Sequence, residues 1–77
     1  MVAIHSRAKD LAAKDPADDL RASRLALRDE LRAEIRRGAA GELVLGADTA
    51  YVRIKRMLGI VGTRPQVLAA FTQKYDL

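Results

Sequence analysis

Helical periodicity runs through most of the chain, and glycines break it into segments. From Ala17 to Arg37 there is no Gly or Pro, and good helix formers (Ala, Leu, Arg and Glu) predominate. Within that run Leu20, Leu27, Leu31 and Ile35 recur at spacings of seven, four and four, which places them on one face. Asp15 suits the cap, Pro16 the first turn, and Asp18 and Asp19 the positive end of the dipole. Arg36 and Arg37, followed by Gly38 and Gly41, suit its end. The pattern predicts a long helix over about residues 16–38.

A second periodic region spans about residues 49–75. Tyr51, Ile54 and Leu58 share one face of a short helix that starts after Asp48. Gly59-Ile60-Val61-Gly62 forms a tight turn. Thr63-Arg64-Pro65-Gln66 then has the form of a capping box, with Pro65 in the first turn. Val67, Leu68, Phe71 and Tyr75 make the stripe of a last helix. Between the two regions, Gly41-Glu42-Leu43-Val44-Leu45-Gly46 is an apolar patch, one helical turn or an extended connector, expected to close the core. Residues 1–15 read as an N-terminal arm or a short helix capped by Ser6, with Ile4, Ala8 and Leu11 as a small stripe. The expectation is all-α: a small single-domain bundle of four or five helices, with one long helix in the N-terminal half.

Composition narrows the function. Seventy-seven residues with 49% hydrophobic but only 4% aromatic content suit helices around a thin core. Such a core encloses no sizeable small-molecule substrate. No cysteine is present, which excludes disulfides and thiolate sites. His5 has no second histidine or cysteine to join it on a metal, so neither metal nor cofactor is expected. Asp18-Asp19 and Asp29-Glu30 are adjacent pairs, which diverge by about 100° on a helix and make no carboxylate dyad. Ser6, Ser23 and Thr63 lack a histidine placed to activate them, and no phosphate loop occurs. No catalytic residue is expected. No apolar run approaches the roughly 20 residues of a membrane span, and the N-terminal stretch is too short for a signal core. A soluble, cytoplasmic protein is expected.

Charge is segregated. Thr49–Tyr75 holds five basic residues, Arg53, Lys55, Arg56, Arg64 and Lys74, and no acid. Met1–Asp48 holds nine basic and nine acidic residues. The excess positive charge therefore surrounds the glycine turn, a pattern suited to a polyanion. The amides of Gly62, Thr63 and Arg64 open a helix, at the positive end of its dipole, and Arg64 adds a full charge. Together they form a candidate phosphate grip. Arg53, Arg56, Lys55 and Lys74 widen it, with Arg56 ranked above Lys55 because Arg53 and Arg56 share a side. A further stripe, Arg21, Arg24, Arg28, Arg32 and Arg36, flanks the long helix. By itself it reads more readily as a solvated face, with pairs such as Arg32–Asp29 worth about 0.2–0.5 kcal/mol. If the turn binds a duplex, Arg32, Arg36 and Arg37 come within reach of a neighbouring strand.

Two segments resemble known DNA-binding sequences. Leu58-Gly-Ile-Val-Gly62-Thr-Arg-Pro-Gln-Val is similar to the helix-hairpin-helix motif, with Leu58 and Gly62 matching its apolar and glycine positions. Ile60 and Gln66 depart from the usual glycine and small residue. Glu30-Leu-Arg-Ala-Glu-Ile-Arg-Arg-Gly38 resembles the end of the long helix in the actinobacterial integration host factor family. That family's hairpin is also of the L-x-x-V-G type, matched by Leu58, Val61 and Gly62. The resemblance covers about Arg21 to Phe71, with a short connector, and Pro65 is unusual for the last helix. A diverged or phage-borne relative fits these departures as well as a typical member. The resemblance implies a nucleoid-associated protein that binds double-stranded DNA with little sequence preference, with a recombinase or another nucleoid protein as partner.

Contacts of the phosphate type position a protein without reading bases. Tyr51, Phe71 and Tyr75 lie on apolar stripes, so no aromatic pair is free to stack single-stranded bases. Two other readings remain open at the level of sequence. One is a protein–protein adaptor that uses Leu43, Val44, Leu45 or the N-terminal arm. The other is binding to structured RNA.

Overall fold

A computed structural model describes residues 16–77, and among these it shows three helices and no strand. Helix α1 spans Pro16–Ala39, α2 spans Ala50–Leu58 and α3 spans Arg64–Tyr75. The Asp15 cap and the arm or short helix over 1–15 lie outside the described residues. The all-α expectation holds, with three helices among the described residues where four or five were expected. No described helix is long and apolar enough to cross a membrane.

α1 continues one residue past Gly38. The reversal falls at Gly41, whose φ of 88° is the left-handed region that glycine tolerates. Glu42 donates its N–H to the Arg37 carbonyl at 2.9 Å, which bends the chain back at the end of α1. The connector then runs as an irregular segment. It does not close the core as expected: Leu43 is 81% and Leu45 74% exposed, and only Val44 is partly covered. The connector forms no regular element that would press its side chains onto a helix, and the next helix closes the core instead: Ala50 is fully buried in one cluster with Leu31.

All three helices contribute to the core, which consists of Leu31, Ala50, Ile54, Val67 and Phe71, all fully buried. Leu27, Ile35, Tyr51, Leu58, Leu68 and Tyr75 pack around it as the spacings predict. Phe71 and Tyr75 meet edge to face at 5.4 Å between centroids. Leu20 departs from its stripe and stays 53% exposed. About one turn later the Arg24 guanidinium lies 4.0 Å from the centroid of the Tyr75 ring. Arg28 donates to the Leu77 carbonyl at 2.7 Å and also pairs with Asp29. Two members of the arginine stripe thus clamp the end of α3 instead of facing solvent.

The opening amides of α2 are accounted for. Thr49 caps α2, accepting from the Val52 N–H at 3.3 Å and donating to the Gly46 carbonyl at 3.0 Å. The amides of Ala50 and Tyr51 go to the buried Glu34 carboxylate, at 2.7 and 3.2 Å. This carboxylate comes from α1, so it fixes where α2 crosses it. At the other end Gly59 adopts φ 64°, ψ 36°, and the N–H groups of Gly59 and Ile60 both donate to the Lys55 carbonyl. That left-handed cap turns the chain toward α3 within four residues.

Candidate nucleic-acid interface

The capping box at the start of α3 is present as read. Gln66 N–H donates to Thr63 Oγ1 at 3.4 Å, and Thr63 N–H donates to Gln66 Oε1 at 2.9 Å. This corrects the count of available amides, because a closed capping box uses the Thr63 N–H. Pro65 has none to give. What remains at this end is the N–H of Arg64 and that of Gly62, for which the described residues supply no acceptor. Gly62 packs closely here: a Cβ in its place would lie 3.1 Å from Gln66 Oε1.

Tyr51 organises the surroundings. Its hydroxyl donates to the Gly62 carbonyl, which ties α2 to the hairpin. Its ring has Lys55 Nζ at 4.2 Å and the Arg64 guanidinium at 4.9 Å from the centroid. The Arg64 guanidinium also donates to the Val44 carbonyl at 3.0 Å, so it holds the connector against the hairpin. Arg64 is therefore half-buried and spans connector and hairpin, beside the helix-opening amides to which the sequence assigned its charge.

The other candidate residues divide by location. Arg53 is ion-paired with Glu30 on α1, both about half exposed. Arg56, one turn further along α2, is exposed and meets no carboxylate among the described residues. Arg36 is also exposed without such a partner, and Arg32 lies 4.0 Å from Asp29. Arg37 pairs with Glu42 at 2.8 Å. The hydrogen bond between them, then their mutual charge, holds the Glu42 carboxyl below its ordinary range and pushes the Arg37 guanidinium up. Lys74 lies 5.5 Å from the centroid of the Tyr75 ring, near the other end of α3 and about 15 Å along it from Arg64.

The structure thus brings together Lys55, Gly62, Thr63 and Arg64 around Tyr51. It places Arg53 and Arg56 on the same helix as Lys55, and sets Lys74 and the α1 arginines apart. The sequence reading missed two residues that shape this region. Tyr51 was assigned to an apolar stripe, and nothing local marks its hydroxyl as the hairpin's tie. Glu34 did carry a signal: it lies three residues after Leu31 and seven after Leu27, on the apolar face, where an acid needs buried donors.

Beside this cluster lies an open groove of about 620 Å³ between the connector and the first turn of α3. Its walls include Ile35, Leu43, Val44, Tyr51, Arg64 and Pro65. No group of three or more histidine, cysteine, aspartate or glutamate side chains among the described residues could hold a metal ion. No protein-family model matches the chain, and neither a curated protein nor a solved structure matches it.

Proposed function

We propose that the protein binds double-stranded DNA through its phosphates, with little regard to base sequence. The observation that carries this reading is the gathering of Lys55, Arg64 and the Gly62 turn around Tyr51, in a stretch, Thr49–Tyr75, that has no acidic side chain. Two cations and two amides without acceptors suit one phosphate and its neighbour. Arg56 extends the surface along α2, and Arg53 can join it by exchanging Glu30 for a phosphate. Arg32, Arg36, Arg37 and Lys74 act as outer contacts, if the duplex lies across more than the hairpin. A nucleoid-associated, architectural role, with a recombinase or another nucleoid protein as partner, extends the same reading.

Titration of random-sequence duplex DNA at two salt concentrations tests it. If about four phosphates are neutralised, log affinity falls with log salt at a slope of about −3 to −4. A flat response removes the reading. Tighter binding to folded RNA in competition moves it to structured RNA.

A further inference from the structure

Five large apolar side chains stay exposed among the described residues; three of them sit on the connector and the turn, the two segments that flank one groove, and Leu43 itself lines it. Leu43 and Leu45 belong to the connector, and Val61, 93% exposed, belongs to the turn beside Gly62. Leu43 and Val44 form one wall, and Tyr51, Arg64 and Pro65 the other. At about 620 Å³ the groove has the capacity of clefts that take a few side chains or a small ligand, about 300–1,000 Å³. Exposed apolar side chains concentrated in this way mark contact surfaces for other macromolecules.

Charge at the groove identifies the occupant. Two carboxylates line it, and both are committed within the chain: Glu34 to the Ala50 and Tyr51 amides, Glu42 to Arg37. Among the described residues Arg64 has only a carbonyl and an aromatic ring as partners, and the amides of Gly62 and Arg64 have no acceptor. The open end of the groove is therefore positive and its connector wall apolar. A duplex satisfies the first property and not the second, because phosphates laid on Leu43 and Leu45 lose water without gaining a partner. We infer that this groove docks a short segment of a partner protein in which apolar side chains alternate with carboxylates. The apolar side chains rest on Leu43 and Val44 and on the exposed Leu45 that follows them in the connector, and a carboxylate meets Arg64 and the start of α3. This contact does not depend on DNA binding. It does share Arg64 with the proposed DNA surface, so the two ligands exclude one another.

The test begins by panning a random short-peptide library over the full chain, then titrating the enriched peptide by fluorescence anisotropy. The expected peptides combine leucine, isoleucine, valine or phenylalanine with aspartate or glutamate. The variant Leu43→Ser/Leu45→Ser should weaken the enriched peptide at least about tenfold, as loss of a central apolar anchor does. Replacing the peptide's acids with their amides should weaken it to a similar degree. Because both leucines are largely exposed, the variant should keep its circular dichroism and its DNA titration curve. Duplex DNA should displace the bound peptide from the wild-type chain. The inference fails if no peptide is enriched, if the enriched peptides are basic, or if the double variant binds as the wild type does. It also fails if the chain sediments as a dimer that the double variant abolishes, because the occupant is then a second copy. Loss of DNA binding with peptide binding intact would sink only the DNA reading.

Discussion

The Glu34 carboxylate accepts the Ala50 N–H at 2.7 Å across sixteen residues of chain, and both groups are buried. With the Tyr51 N–H on its other oxygen, it replaces the solvent that would otherwise satisfy the start of α2. Its negative charge also lies at the favourable end of that helix. Glu34→Ala leaves one buried and one part-buried donor without acceptors, at about 1–3 kcal/mol for a fully buried one, so a loss of about 3 kcal/mol is expected. In a domain this small that is a large share of the total. Glu34→Gln keeps one acceptor oxygen and should lose about 1–2 kcal/mol. Urea unfolding followed by circular dichroism measures both. Equal stability of Glu34→Ala and wild type would show that this tie does not hold α2 in place.

Gly62 and Gln66 make a second such relationship, at the hairpin. Alanine at Gly62 sets a methyl 3.1 Å from Gln66 Oε1, which must shift by a few tenths of an ångström in its hydrogen bond from the Thr63 N–H. Weakening the capping box in this way should lower stability by up to about 1 kcal/mol. It should also raise hydrogen exchange at Thr63 and Gln66 ahead of the rest of α3. Uniform exchange along the helix would mean that the box contributes nothing locally.

The helices were legible in the sequence because their signals are local. Pro16, Thr49, Thr63 and Pro65 mark starts, and Leu27, Leu31, Ile54, Val67 and Phe71 keep helical spacing. The connector was misread because an apolar run between glycines has no period to say which residue faces inward. The site was legible in charge but not in geometry. No spacing rule connects Arg64 to the Val44 carbonyl, or Tyr51 to the Gly62 carbonyl, since both contacts arise only once the helices have packed. The same holds for the arginine stripe, whose Arg24 and Arg28 are indistinguishable in sequence from Arg32 and Arg36 yet hold Tyr75 and Leu77.

Tyr51→Phe separates the two functions of that ring. The cations keep an aromatic face, while the Gly62 carbonyl loses its donor. A stability loss of about 0.5–1.5 kcal/mol is expected, with faster exchange confined to the turn. DNA affinity should fall modestly because the hairpin is less fixed, and the salt slope should not change. Unaltered exchange at Gly62 and Thr63 would argue against the hydroxyl as the tie.

The Arg37–Glu42 pair gives the connector a pH dependence. The Glu42 carboxyl is held below its ordinary value by the Arg37 hydrogen bond and charge, so the folded state favours its ionised form. A depressed carboxyl contributes above its unfolded value, near 4.3, and loses that contribution as pH falls through the folded value. The protection of the Glu42 amide, whose N–H also binds the Arg37 carbonyl, relative to its intrinsic exchange rate should therefore fall in acid before that of α3 does. In Glu42→Gln that acid step should vanish. The pair is exposed, and its effect should be local and reduced by salt.

Arg53 and Arg56 stand one turn apart on α2, but among the described residues only Arg53 has a carboxylate partner. A phosphate approaching Arg53 must compete with Glu30, whereas one approaching Arg56 displaces only water. If DNA lies across this helix, Arg56→Gln should weaken binding to all duplex sequences alike and reduce the salt slope by about 1. Arg53→Gln should do less. Glu30→Gln should strengthen binding, because it removes a repelling carboxylate and releases Arg53 to a phosphate. Exposed ion pairs contribute about 0.2–1 kcal/mol, so stability should change little and the binding effects can be read directly. Anisotropy titrations of the three variants at matched salt decide the matter. Weaker DNA binding by Glu30→Gln, or an unchanged slope in Arg56→Gln, would move the contact surface off this face of α2.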